Sequence, residues 1–258
     1  MRHSPPVREA HPTPADSDQS LYVPIKRRSF FMYAGATAGA TALVLAGCSK
    51  EDSSPGTVDV GSGDGGILNY AYALEQLEAA FYTQVRQGGY YTGSAITTAE
   101  KSILDDLYYH EVIHRDFFQT AITAANATPI KALTPNFSSV NFADRTSIFA
   151  TAKAFEDLGV AAYNGAGQYI QSSTYLYIAG KIVSVEARHA AIIRDLVTEN
   201  SFVGNDIITL SSASNSSVAT NNAPTASSLE RALSPSEVVA IANNFLADGS
   251  KLDVSGIR

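Results

Sequence analysis

Four glutamates and two histidines recur along this chain in an order that few folds can use. Glu75 comes first, then Glu111 and His114 as a Glu-x-x-His, then Glu156, then Glu186 and His189 as a second Glu-x-x-His. Residues three apart on an α-helix share a face, so each Glu-x-x-His sends both side chains the same way. One Glu from each of two helices, with one Glu-x-x-His from each of two others, is the set by which a four-helix bundle holds a dinuclear metal site. So much charge does not fit an apolar interior unless something neutralises it. A lone Glu-x-x-His is a weak motif and on most helices is a solvated face. Ten Glu follow Cys48, so a given His has about a 5% chance of a Glu three places before it. Two hits among the three histidines in that region are not expected by accident.

The halves of the chain repeat the arrangement. Residues 73–82 (Ala-Leu-Glu-Gln-Leu-Glu-Ala-Ala-Phe-Tyr) align with 154–163 (Ala-Phe-Glu-Asp-Leu-Gly-Val-Ala-Ala-Tyr). Glu75 has its counterpart in Glu156, whereas Glu78 falls opposite Gly159, so Glu75 reads as the ligand and Glu78 as an accessory. Two helix pairs related by a pseudo-twofold axis follow, with the metals near that axis. His110 precedes Glu111 by one residue, roughly 100° around the helix. It is expected at the surface, with an auxiliary role beside the site as the alternative.

Residues 1–48 read as an N-terminal extension and export signal. Lys26-Arg27-Arg28-Ser29-Phe30-Phe31 leads into the small-residue apolar run 33–45, and the segment closes on Leu45-Ala46-Gly47-Cys48. A twin arginine before a modest apolar run reads as a Tat signal. The run is too short for a permanent transmembrane helix. Leu-Ala-Gly-Cys is similar to a lipobox, which makes Cys48 the expected lipidation site and the protein a membrane-anchored lipoprotein facing the periplasm or cell surface. Cys48 is the only cysteine, which excludes an intramolecular disulfide and any cysteine-based zinc or iron–sulfur site. Both methionines precede it. From Cys48 onward there are 13 basic and 22 acidic residues. That acidity argues against nucleic acid as a partner.

Residues 49–66 are Ser- and Gly-rich and read as a flexible tether. The bundle is expected over 67–200. Its helices span about 67–87, 98–125, 142–170 and 174–199, the second opened by the capping box Thr97-Thr98-Ala99-Glu100. Residues 90–96 read as a loop. The first and last connections are short, which makes their helices antiparallel neighbours. The middle one, about 16 residues, reaches roughly 50 Å when extended. A 28-residue helix is about 42 Å long, so this connection can run the length of the bundle as a single crossover. Residues 201–229 form a polar loop. Within 230–258, Ser234-Pro235-Ser236-Glu237 caps a fifth helix over about 235–247, and residues 248–258 read as a weakly ordered tail.

With these residues in hand, the chain resembles the bacterial ferritin-like domain family that includes the desiccation-related proteins. The likeness covers about residues 66–247. It rests on Leu74-Glu75-x-x-Glu78-Ala79-x-Phe81-Tyr82, on the two Glu-x-x-His pairs and on Ser234-Pro235-Ser236-Glu237-Val238. The resemblance implies an all-α, ferritin-like four-helix bundle with one long crossover and a C-terminal fifth helix. It implies a di-iron or di-manganese centre with Glu75, Glu111, His114, Glu156, Glu186 and His189 as ligands. It also implies that Tyr82 and Tyr163 are phenols hydrogen-bonded around the site, although helical spacing alone equally makes them ordinary core tyrosines. There is no Cys-x-x-Cys for a rubredoxin-type iron, and no Met after Cys48 for the haem of bacterioferritins. A lipid anchor, a tether and a fifth helix disfavour a closed storage cage and leave a smaller homo-oligomer open. No Asp stands where it would orient His114 or His189.

The expected cofactor is two iron or manganese ions, which carboxylate and imidazole ligands do not distinguish. The expected chemistry is oxidase, peroxidase or catalase-like, with dioxygen or peroxide as substrate, in protection against oxidative or drying stress. The alternatives are a non-catalytic structural or binding bundle of the envelope, and transient iron binding without turnover.

Overall fold

The computed structural model describes residues 56–204, 206–207 and 229–258. The signal segment with Cys48, residues 49–55 of the tether, and residue 205 with 208–228 of the polar loop lie outside the described residues. Strand β1 (Val58–Asp59) leads into helix α1 (Gly63–Gln87), the short helix α2 (Gly89–Thr92) and helix α3 (Thr98–Ala124). Helices α4 (Arg145–Ala166), α5 (Ser173–Val197) and α6 (Pro235–Ala242) follow, and strand β2 (Leu252–Asp253) comes near the end. The chain is an all-α bundle of α1, α3, α4 and α5, with α1 packed along α3 and α4 along α5.

Local chemistry sets the helix starts. The Thr97 side chain accepts from the Glu100 amide and Glu100 reaches back to the Thr97 amide, which is the expected capping box. Asp144 caps α4 and Ser172 caps α5. Ser234 and Glu237 form a second box on α6, with Pro235 in its first turn. Helix α4 is shorter than the 142–170 expected from sequence, because Asp144 caps it and a 3₁₀ turn, Gly167–Tyr169, succeeds it. The expected loop 90–96 begins instead as α2, which buries Tyr90 and Tyr91.

The connection between α3 and α4 runs along α1 from its first turns to its last. Asn69 accepts from the Ile130 amide and donates to the Thr128 carbonyl. Gln76 accepts from the Leu133 amide at 2.9 Å. At the far end the Tyr90 amide donates to the Phe142 carbonyl. This is the crossover that the loop length allowed. Phe81 on α1 is fully buried and meets Phe137 of the crossover and Phe155 of α4 edge to face, with ring centroids 5.8 and 5.1 Å away.

Two expectations about the ends are corrected. Residues 56–66 are not a free tether and residues 248–258 are not a loose tail. Val58 and Asp59 pair in parallel with Leu252 and Asp253, and Val58, Val60, Leu252, Val254 and Ile257 are all buried. These apolar residues leave water by joining the core of the bundle. The start of the polar loop is also tied down. Arg194, buried on α5, binds Asp157 at 2.7 Å and also Asp206, while Lys153 bridges the same two carboxylates. The segment before α6 lies directly on α4. A side chain at Gly165 would begin 1.7 Å from the Leu233 carbonyl oxygen, so only glycine admits the contact.

Candidate metal centre

All six residues singled out by spacing meet at the centre of the bundle. Glu75 comes from α1, Glu111 and His114 from α3, Glu156 from α4, and Glu186 and His189 from α5. Glu111, Glu156 and Glu186 have no exposed surface, and Glu75 and His189 are buried with them. They form two overlapping groups of four. One is Glu75, Glu111, His114 and Glu186, the other Glu111, Glu156, Glu186 and His189, and in each the donor atoms lie within 4.8 Å of one another.

Glu111 and Glu186 belong to both groups, and their oxygens are divided between the histidines. Glu111 places Oε1 2.8 Å from His189 Nδ1 and Oε2 3.4 Å from His114 Nδ1. Glu186 places Oε1 2.8 Å from His114 Nδ1 and Oε2 3.6 Å from His189 Nδ1. These two carboxylates thus face both histidines. Glu75 stands on the His114 side and Glu156 on the His189 side, each 3.5 Å from its histidine.

Despite these short distances, eight buried atoms of the cluster make no directed hydrogen bond. They are Glu75 Oε2, both oxygens of Glu111 and of Glu186, Glu156 Oε2, and Nδ1 of His114 and His189. The nitrogens and oxygens approach one another off the N–H axis. Buried polar atoms without partners are costly, and a native interior tolerates very few. Neighbouring ligand atoms around an octahedral ion with bonds of about 2.1 Å are about 3 Å apart. The observed spacings fall around that value, so the donor set is compatible with bound metal.

The remaining oxygens of the outer glutamates are held from behind. Tyr163 on α4 donates its hydroxyl to Glu75 Oε1 at 2.5 Å, and Tyr82 on α1 donates to Glu156 Oε1. Each tyrosine reaches into the opposite half of the repeat, so the pseudo-twofold relation extends to these partners. Burial, then Glu156, holds the Tyr82 phenol well above its ordinary range, and burial, then Glu75, does the same for Tyr163.

Without metal the cluster keeps protons. Burial opposes a charged His114, but contacts with Glu111, Glu186 and Glu75 outweigh it and push the imidazole up to about 12. His189 is likewise raised against burial, by Glu111, Glu156 and Glu186. Burial and Glu186 push Glu111 up to about 8, while Glu186, facing both histidines, is drawn down to about 2 although burial resists. Crowded carboxylates thus favour protonated forms on the histidines and, together with burial, on Glu111.

Glu78 also reaches the cluster. Burial, then Glu111, Glu75, Glu186 and Glu156, holds its carboxyl well above the usual range. A side chain at Gly159 would begin 3.1 Å from Glu78 Oε1. The two unmatched positions of the repeat thus face each other, and the space one lacks is filled by the other.

His110 is exposed, as expected, but its Nδ1 lies 2.8 Å from Nε2 of His189. It stands where an orienting Asp would stand. Spacing along one helix relates His110 to His114, not to His189, so no sequence signal marked the contact.

Residues 63–199 match the family described as Ferritin-like domain. The chain belongs to that family. No curated protein matches it. The ferritin-like domain covers α1 through α5, so every residue of the cluster lies inside it.

Proposed function

We propose that this chain is an envelope-anchored ferritin-like protein that holds two iron or manganese ions and uses them in redox chemistry on peroxide or dioxygen, in protection against stress. The observation that carries the reading is the set of eight buried donor atoms with no directed hydrogen bond, gathered in two overlapping groups of four residues. Glu75, Glu111, His114, Glu156, Glu186 and His189 would hold the ions. Bound there, the ions supply redox equivalents and Lewis acidity toward a small oxygen species. Glu111 and Glu186, each facing both histidines, would hold the centre from within, and Tyr82 and Tyr163 fix the outer glutamates in orientation. Export rests on Lys26-Arg27-Arg28 and attachment on a lipid at Cys48. No helix among the described residues is long and apolar enough to cross a membrane.

Neutral imidazole and ionised carboxylate are the forms that bind metal. The metal-free cluster holds protons on His114 and Glu111, so uptake expels protons and affinity rises with pH. The test is anaerobic reconstitution of the full chain with Fe(II) or Mn(II) at several pH values. Metal content, thermal melts and peroxide consumption are then measured. About two ions per chain are expected, with a concentration-dependent rise in melting temperature. Content below about half an equivalent overturns the site and favours a structural bundle. Full loading without peroxide or dioxygen consumption favours iron binding without turnover.

A further inference from the structure

His114 and His189 are the matched histidines of the repeat, yet their surroundings differ. Both turn Nδ1 into the cluster. Behind His189, Nε2 lies 2.8 Å from Nδ1 of His110. The two ring planes are 22° apart with centroids 5.0 Å apart. With nitrogens 2.8 Å apart, these rings are joined edge to edge, not stacked face to face. Among the described residues nothing hydrogen-bonds to Nε2 of His114.

Resting on the metal reading of the cluster, we infer that His110 is a positioning residue, which holds His189 in the ring orientation and tautomer that turn an Nδ1 lone pair toward the metal position. The form of His189 that can bind metal is the neutral imidazole, which has one proton. Three carboxylates, Glu111, Glu156 and Glu186, crowd Nδ1 of His189, at 2.8, 3.5 and 3.6 Å. Left alone, they draw the proton to Nδ1, the wrong tautomer for a ligand. An acceptor at Nε2 counters that pull, because Nε2–H then has its own partner. His110 offers Nδ1 as the acceptor, which places its own proton on Nε2. The same bond keeps the His189 ring from turning over, since a flip would put a carbon against His110. His114 lacks this restraint and is the more exposed, at 12% of its side chain against 6% for His189. The two metal positions are therefore inequivalent, and the one at His189 is the better organised.

The test uses the full chain and three proteins: wild type, His110→Ala and His110→Asn, whose side-chain oxygen falls near the place of Nδ1. Anaerobic Mn(II) titration should show two affinities in the wild type. His110→Ala should weaken one of them by roughly 10- to 100-fold and leave the other within about twofold. His110→Asn should recover most of the loss. Thermal melts of the metal-free proteins confirm that all three are folded. If His110→Ala takes up both ions as the wild type does, or weakens both equally, the positioning role is overturned. Nitrogen-15 NMR of the metal-free proteins tests it independently of metal. A slowly exchanging Nε2 proton on His189, lost in His110→Ala and restored in His110→Asn, supports the role. Its absence from the wild type, or its persistence in His110→Ala, overturns it. A wild type that takes up no Mn(II) refutes the metal reading alone, and the NMR comparison then decides the role of His110.

Discussion

Tyr82 and Tyr163 show how much a single hydroxyl can carry here. Both sit on the core face of their helices, where helical spacing alone makes them ordinary apolar packing. Each hydroxyl instead lies on a carboxylate of the other half, across 74 residues for Tyr82 and Glu156 and 88 for Tyr163 and Glu75. Removing Tyr82 Oη leaves a fully buried carboxylate oxygen without its partner. The cost of such a loss is about 2 kcal/mol. Tyr82→Phe and Tyr163→Phe are each expected to destabilise the metal-free protein by about this amount in urea melts, and to weaken metal uptake roughly tenfold. Unchanged melts and unchanged uptake would return both residues to plain core packing.

Among the elements, the start of α3 illustrates what local pattern shows and what it hides. The capping box of Thr97 and Glu100 is legible in four residues. Hidden from that pattern are the Tyr90 hydroxyl of α2, 3.0 Å from Glu100 Oε2, and the Arg145 guanidinium of α4, 2.7 Å from Oε1. Glu100 thus ties three elements at one end of the bundle. Burial works to raise its carboxyl, but hydrogen bonds from Thr97, Arg145 and Tyr90 draw it down to about 2. A depressed carboxylate contributes stability that is whole above its ordinary value near 4.5 and is lost as pH falls toward 2. Urea midpoints should therefore decline between pH 4.5 and 2, and Glu100→Gln should flatten that decline. Thr97→Ala should cost about 1 kcal/mol at neutral pH. An acid limb of the same steepness in Glu100→Gln would place the dependence elsewhere.

At the scale of the molecule, the two ends of the described chain close on one another. The parallel pairing of Val58 and Asp59 with Leu252 and Asp253 buries residues that sequence reading assigned to a tether and a tail. Leu252, Val254 and Ile257 each remain under 10% exposed. Burying such side chains contributes about 1.5–3 kcal/mol apiece, an upper bound because unfolded chains are partly compact. Deleting residues 251–258 should lower stability by about 3–5 kcal/mol in urea melts while leaving metal stoichiometry unchanged, since no ligand lies there. A truncated protein with the wild-type midpoint would show that the closure contributes nothing.

The sequence by itself determined the elements that depend on short range. Glu-x-x-His works within one helical turn, capping boxes within four residues, and the crossover within the reach of about 16 residues. The order of the ligands along the chain, with the repeat that matched Glu75 to Glu156, was enough to name the fold and the six residues that meet. Only the tertiary structure decided how they meet. It placed Glu111 and Glu186 in both groups of four and Glu75 and Glu156 in one each, because that choice depends on which oxygen faces which helix across the bundle. It set His110 against His189, 79 residues away, and closed the ends of the described chain into a strand pair. Such contacts leave no periodic trace. They arise when helices of fixed face are packed together, and a side chain near a helix edge then meets whatever the neighbouring helix presents.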